Sequence, residues 1–129
     1  MNSNTPNIIL FTCDIVLSEI IKKLLEKCFS EVKFKVFDSF SEANELSKND
    51  DIDLVLIDDL IIGTSSYELI SFLRENIKIK CPIIYFGVKE HDSERKAILI
   101  GANYFINKPF NPEQAIELFK SNIDKTNNA

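Results

Sequence analysis

The stretch Asp53-Leu-Val-Leu-Ile-Asp58-Asp59-Leu-Ile-Ile-Gly63-Thr-Ser-Ser-Tyr-Glu-Leu69 decides how this chain folds. Leu54 to Ile57 form a continuous apolar run, as expected of a strand covered on both faces. Two carboxylates end the run, and Gly63 lies in the loop that follows. Leu69, Ile70, Leu73 and Ile77 then recur at helical spacing. A doubly buried strand, acids at its carboxyl end and a helix behind it make one βα unit of a parallel sheet.

The same unit recurs on either side. Ile8 to Phe11 is a second buried run, followed by a helix whose stripe is Leu17, Ile20, Ile21, Leu24, Leu25 and Cys28, with Asp14 placed to cap it. Val32, Phe34 and Val36 alternate with Lys33 and Lys35, which predicts an edge strand with one wet face. A weak helix over 41–48 has only Ala43 and Leu46 to bury. Pro82 opens the run Ile83 to Phe86, where a missing amide is tolerated, and a helix over 93–100 stops at Gly101. Tyr104 to Ile106 is a short last strand. Pro112 then starts a helix with the stripe Ala115, Ile116, Phe119 and Ile123. The expectation is an α/β fold, a flavodoxin-like doubly wound five-stranded parallel sheet of order 2-1-3-4-5 with five helices.

A length of 129 residues, 45% of them hydrophobic and ten of them Phe, suits one domain, placed at 7–124 between flexible ends at 1–6 and 125–129. Cys13, Cys28 and Cys81 are an odd, scattered set, which argues for a reducing, cytoplasmic setting and against a disulfide framework or zinc site. The formal net charge of −5 and the lack of a basic stripe argue against nucleic acid as a partner. No apolar run approaches the roughly 18 residues of a membrane span.

In open α/β sheets ligands gather at the carboxyl ends of the strands. Thr12, Cys13, Asp14, Asp58, Asp59, Gly87, Asn107 and Lys108 fall there. The segments DLVLIDDLIIGTSSYEL (53–69), PIIYFGVKE (82–90) and GANYFINKPF (101–110) resemble the receiver domain of response regulators, and the likeness runs over nearly the whole chain. The resemblance implies a phosphoryl acceptor at Asp58, a phosphoryl-contacting lysine at Lys108 and a switch aromatic at Phe105. It also makes Lys108-Pro109 a candidate cis peptide.

Three positions depart from that pattern. Receivers carry two acids after the first strand to hold Mg²⁺, and Thr12 and Cys13 stand in their place. A thiol is a poor ligand for so hard an ion. Asp14 comes one position late and is read as a cap. The hydroxyl residue that ends the fourth strand in receivers is Gly87 here. Mg²⁺ binding at Asp58 is therefore expected to be weak or absent, no cofactor is required, and Mg²⁺-dependent phosphorylation is expected to be impaired. The ion pair with Lys108 is expected to favour ionised Asp58.

Two functions remain in contention: a phosphoryl-operated interaction switch in two-component phosphorelay signalling, and a phosphorylation-independent protein-binding module. Neither is an enzyme. Partners would be a histidine kinase, a phosphotransfer protein or an output domain, met through the last two helices and the strand between them, where Tyr104 and Phe105 offer aromatic anchors. A homodimer would use the same face. A remote alternative makes Cys13 the nucleophile of a phosphocarrier or small phosphatase, but no Gly or Arg follows it, and Cys13 is read as a partly buried filler. His91, flanked by charges, is read as a solvated lead-in to a helix. Thr64, Ser65 and Ser66 are read as turn and cap residues.

Overall fold

A computed structural model describes residues 5–89 and 93–127, the side chains of 124–127 excepted. The call on His91 lies outside the described residues. Strand β1 (Asn7–Phe11) leads to helix α1 (Ile15–Cys28), and β2 (Lys33–Phe37) to a 3-10 helix (Phe40–Glu45). Then come β3 (Leu54–Asp58), α2 (Ser66–Phe72), β4 (Ile83–Gly87), α3 (Ser93–Ile100), β5 (Tyr104–Asn107) and α4 (Pro112–Asn127). The five strands pair in parallel in the order β2-β1-β3-β4-β5. This is the flavodoxin-like order that the alternation of apolar runs and helical stripes predicts.

Alternate residues of the central strands supply two cores. Ile8, Leu10, Leu54, Leu56, Ile84 and Phe86 face α1 and α4 and meet Ile21, Leu25 and Phe119. Ile9, Phe11, Val55, Ile57, Ile83 and Tyr85 face the opposite side and meet Leu69, Ile70, Leu73 and Ala97. Every residue of β3 and β4 is buried, which is why those runs show no polar alternation. Asp14 caps α1 as expected, its Oδ1 accepting the Val16 and Leu17 amides at 3.0 and 3.2 Å.

Some local expectations are corrected. The second helix is 3-10 and ends at Glu45 instead of Lys48. It buries only Ala43, and Glu42 and Asn44 bond back to the local backbone at Asp38 and Ser41, which competes with an α-helix. On the edge strand Val36 is exposed, and Phe37 takes the buried place against Phe11 with ring centroids 5.3 Å apart. Ile20 is exposed on α1. Helix α2 runs on through a π turn (Leu73–Ile77) and stops at Lys78, whose φ of 69° is left-handed. No helix of the described residues is long and apolar enough to cross a membrane.

Arg74, in that π turn, ties three segments together. Its guanidinium donates to the carbonyls of Gly101 (3.0 Å), Ile79 and Cys81 (2.9 Å each) and to Asn103 Oδ1 (2.8 Å). Asn103 Oδ1 in turn accepts the Ile83 amide at 2.8 Å, so the entry to β4 and the turn before β5 share one clamp. A compact ammonium cannot replace a planar fork spread over four acceptors. Arg74→Lys is expected to lose about 2 kcal/mol of stability, from partly buried carbonyls left without donors, and a urea unfolding curve with unchanged slope checks it.

Candidate functional site at the carboxyl edge

Three elements bring three side chains together. Thr12 leaves the end of β1, Asp58 ends β3, and Lys108 directly follows β5 and is joined to Pro109 by a cis bond. Asp58 is fully buried and Thr12 nearly so. The Thr12 hydroxyl donates to Asp58 Oδ2 at 2.6 Å, and Lys108 Nζ donates to Asp58 Oδ1 at 2.6 Å. The same ammonium reaches Asp59 Oδ1 at 2.6 Å. Both Asp58 oxygens are thus engaged by the protein itself.

Burial is the largest influence on Asp58 and pushes its carboxyl above the ordinary carboxylate range, against the bonds from Lys108 and Thr12. The ion pair does favour ionised Asp58, as expected, but desolvation outweighs it. For Lys108, burial works to lower the value, and the bonds to Asp58 and Asp59 overcome it, raising the ammonium above its ordinary range. The lysine therefore stays charged, a fixed cation inside a pocket of two acids.

The loops around the pocket close on one another. The amides of Thr12 and Cys13 donate to the carbonyls of Phe37 and Leu60 at 2.9 and 2.8 Å. Cys13 is exposed instead of partly buried, because its backbone crosses to the loop after β3. In the stretch after Cys13 the Val16 and Leu17 amides are taken by Asp14 Oδ1. Ser65 caps α2 by accepting the Glu68 amide. Ser66 is no turn residue: it is buried and donates to the Asp58 carbonyl at 2.5 Å, fixing the backbone of the acid itself.

At Gly87 the space of the missing side chain is filled. A Cβ there would meet Tyr85 Cε2 at 2.8 Å and Phe105 Cε2 at 3.1 Å. Phe105 lies beside Tyr85 in register on β5, with centroids 5.7 Å apart, and Tyr85 in turn stacks at 5.5 Å on Tyr67 of α2. Lys96 of α3 sits 4.6 Å above the Tyr67 ring. Tyr104, one residue earlier on β5, turns to the other face and packs partly against the core beneath α4.

The sequence profile of the response regulator receiver domain family matches residues 8–120. The chain belongs to that family. A probable transcriptional regulator, ycf29, of Porphyra purpurea is 30% identical over 121 residues, covering 91% of this chain and 56% of that protein. The transcriptional regulatory protein YvrH of Bacillus subtilis is 28% identical over 111 residues, 84% of this chain and 45% of its own length. The chain thus spans about half the length of these relatives. The fold is shared with a putative response regulator from Chloroflexus aurantiacus, with a TM-score of 0.80 at 19% identity over 93% of this chain and 98% of that one. A signal receiver domain from Colwellia psychrerythraea gives 0.81 at 17% identity, over 92% and 98%.

Measured against what Mg²⁺ requires, the donor set of this receiver does not fit. A hard cation needs several oxygen ligands free to face it. Asp58 spends one oxygen on Thr12 and the other on Lys108, and the neighbouring positions offer a hydroxyl and an exposed thiol. Among the described residues no three His, Cys, Asp or Glu side chains are placed to share a metal ion.

The Asp59 contact and the aromatic filling of Gly87 escaped the sequence. The adjacent acids and the missing hydroxyl were visible, but their consequences depend on which way the chain turns after β3 and β4. The exposed residues Ile15, Val16, Leu60 and Ile62 around the pocket mouth also escaped it.

Two outcomes follow from this geometry. Lys108→Met leaves Asp58 buried without its cation and is expected to cost about 2–4 kcal/mol near pH 8. Removing the ammonium raises the Asp58 carboxyl further, so the folded state takes up a proton that the unfolded chain does not. The deficit should therefore shrink as pH falls toward about 5, read by urea unfolding at both values. Gly87→Ala drives a methyl group into Tyr85 and Phe105 and is expected to cost about 1–3 kcal/mol, with loss of the proton NOE between the two rings.

Proposed function

We propose that this receiver domain of a two-component response regulator works as a protein-binding module whose phosphoryl-acceptor pocket is held closed from within. The observation that carries this reading is the double engagement of Asp58, by Thr12 at one oxygen and by Lys108 at the other. In a metal-operated pocket the cation neutralises the transferring phosphoryl group and the lysine assists. Here Lys108 is already shared between Asp58 and Asp59, and an incoming phosphoryl donor must displace Thr12 or Lys108 to reach a buried Asp58 oxygen. Mg²⁺-dependent acceptance at Asp58 is accordingly slow or absent.

The partner would be a signalling protein of the same relay: a histidine kinase, a phosphotransfer protein or an output domain. The relatives are transcriptional regulators of about twice the matched length, which supports an output domain as the direct or covalent neighbour. A second reading, phosphoryl acceptance at a reduced rate, is favoured by the Lys108 ammonium at 2.6 Å from Asp58, since it could still contact a phosphoryl oxygen.

Incubation with Mg²⁺ and acetyl phosphate followed by intact mass measurement separates the two. The binding-module reading expects the unmodified mass. A phosphate adduct in high yield, lost in Asp58→Asn, would overturn it.

A further inference from the structure

Strand β2 closes one edge of the sheet, with β1 on its inner side and no described strand on its outer side. The amide of Lys33 donates to the Pro6 carbonyl at 2.8 Å, and the carbonyl of Phe37 accepts the Thr12 amide at 2.9 Å, so the odd-numbered residues direct their backbone groups inward. Along a strand these groups alternate in direction, which turns the amides and carbonyls of Phe34 and Val36 outward. Side chains alternate as well. Phe34 and Val36, the latter 40% exposed, line one wall of a groove of about 350 Å³, and Glu19, Lys22 and Glu26 of α1 line the other. Lys33 and Lys35 stand on the opposite face, with Lys35 Nζ 5.5 Å from the Phe37 ring centroid. Among the described residues neither lysine is in an ion pair.

We infer that this edge takes an extended segment of a partner protein as an added strand, one that alternates apolar with acidic residues. Its apolar side chains enter the groove beside Phe34 and Val36, where acids would meet Glu19 and Glu26, and its acids lie against Lys33 and Lys35. The outward amides and carbonyls of Phe34 and Val36 supply the pairing, and the alternate side-chain contacts supply the choice of partner. Lysines on an edge strand deter a like strand, and by the same charge they favour an acidic one. A second copy of this chain is the poorer occupant. Two-fold antiparallel pairing of β2 with itself through Phe34 and Val36 sets Lys35 directly beside its own copy, and like charges so placed are destabilising. Three strands separate this edge from β5, so it is a surface apart from the last two helices.

The inference rests on the binding-module reading, and the two fail separately. A phosphate adduct at Asp58 counts against that reading, whereas the edge is tested directly by a labelled strand-length peptide of alternating glutamate and valine. Its lysine and valine counterpart serves as the charge control. Fluorescence anisotropy is expected to show binding of the glutamate peptide alone. Amide exchange in the full chain should slow about tenfold at Phe34 and Val36 on binding, with no such change at Lys35. Lys33→Glu with Lys35→Glu should reverse the preference toward the lysine peptide. Lys80→Glu with Lys89→Glu, on either side of β4, makes the same change in net charge and should leave affinity for the glutamate peptide within about twofold. Val36→Pro removes an outward donor without touching the ladder to β1 and should weaken binding about tenfold. If that variant does not fold, the charge reversal decides alone. Absence of binding, equal loss in both double variants, undiminished binding by a folded Val36→Pro, or protection that follows protein concentration without peptide would each overturn the inference, the last by showing self-association.

Discussion

The ammonium of Lys108, bonded at 2.6 Å to both Asp58 and Asp59, is the contact on which the carboxyl edge depends. Among the described residues Asp58 is the one fully buried charge-bearing side chain at that edge. A buried carboxylate is tolerable only when a partner offsets its lost hydration. Lys108 supplies that partner from the end of β5, two strands along the same edge, and Thr12 completes the shell. The pocket can exist in this form because each backbone that carries these side chains is held: Thr12 through Phe37, Cys13 through Leu60, and Asp58 through the Ser66 hydroxyl. The bonds from Thr12 and Lys108 engage both oxygens of Asp58 within the protein.

A second constraint lies one strand away. Where receivers carry a hydroxyl, Gly87 leaves a gap, and the row Tyr67, Tyr85 and Phe105 closes it. Ring contacts of this kind add roughly 0.5–1.5 kcal/mol each beyond the area they bury. Burial and the neighbouring Tyr67 hold the Tyr85 phenol well above its ordinary value, so it stays neutral in this row. The pocket and the aromatic row act in the same sense. One engages both oxygens of Asp58 from within, and the other fills the space beside Gly87 with Tyr85 and Phe105.

Much of this was legible in the sequence, and the limits have physical causes. Strand order followed from Leu54 to Ile57 and Ile83 to Phe86 being apolar without alternation, since only strands covered on both faces read that way. The meeting of Asp58 and Lys108 followed from topology alone. The sharing of Lys108 with Asp59 did not, because it depends on the chain turning as it leaves β3. Val36, expected on the inward face, is exposed and Phe37 is buried for a similar reason: both are apolar, so the pattern could not say which of them ends the strand against Phe11. The exposed Cys13 was misread because a thiol after a buried run resembles core, while its exposure is set by the bond from its amide to Leu60.

The internal cation is the centre of this account, and it can be watched directly. With the chain labelled at the Asp58 carboxyl carbon and the Lys108 amino nitrogen, a Mg²⁺ titration followed by NMR reports whether metal displaces the ammonium. Both resonances are predicted to stay in place through a millimolar excess of Mg²⁺. Saturable movement of the Asp58 carbon together with release of Lys108 would contradict a pocket closed from within.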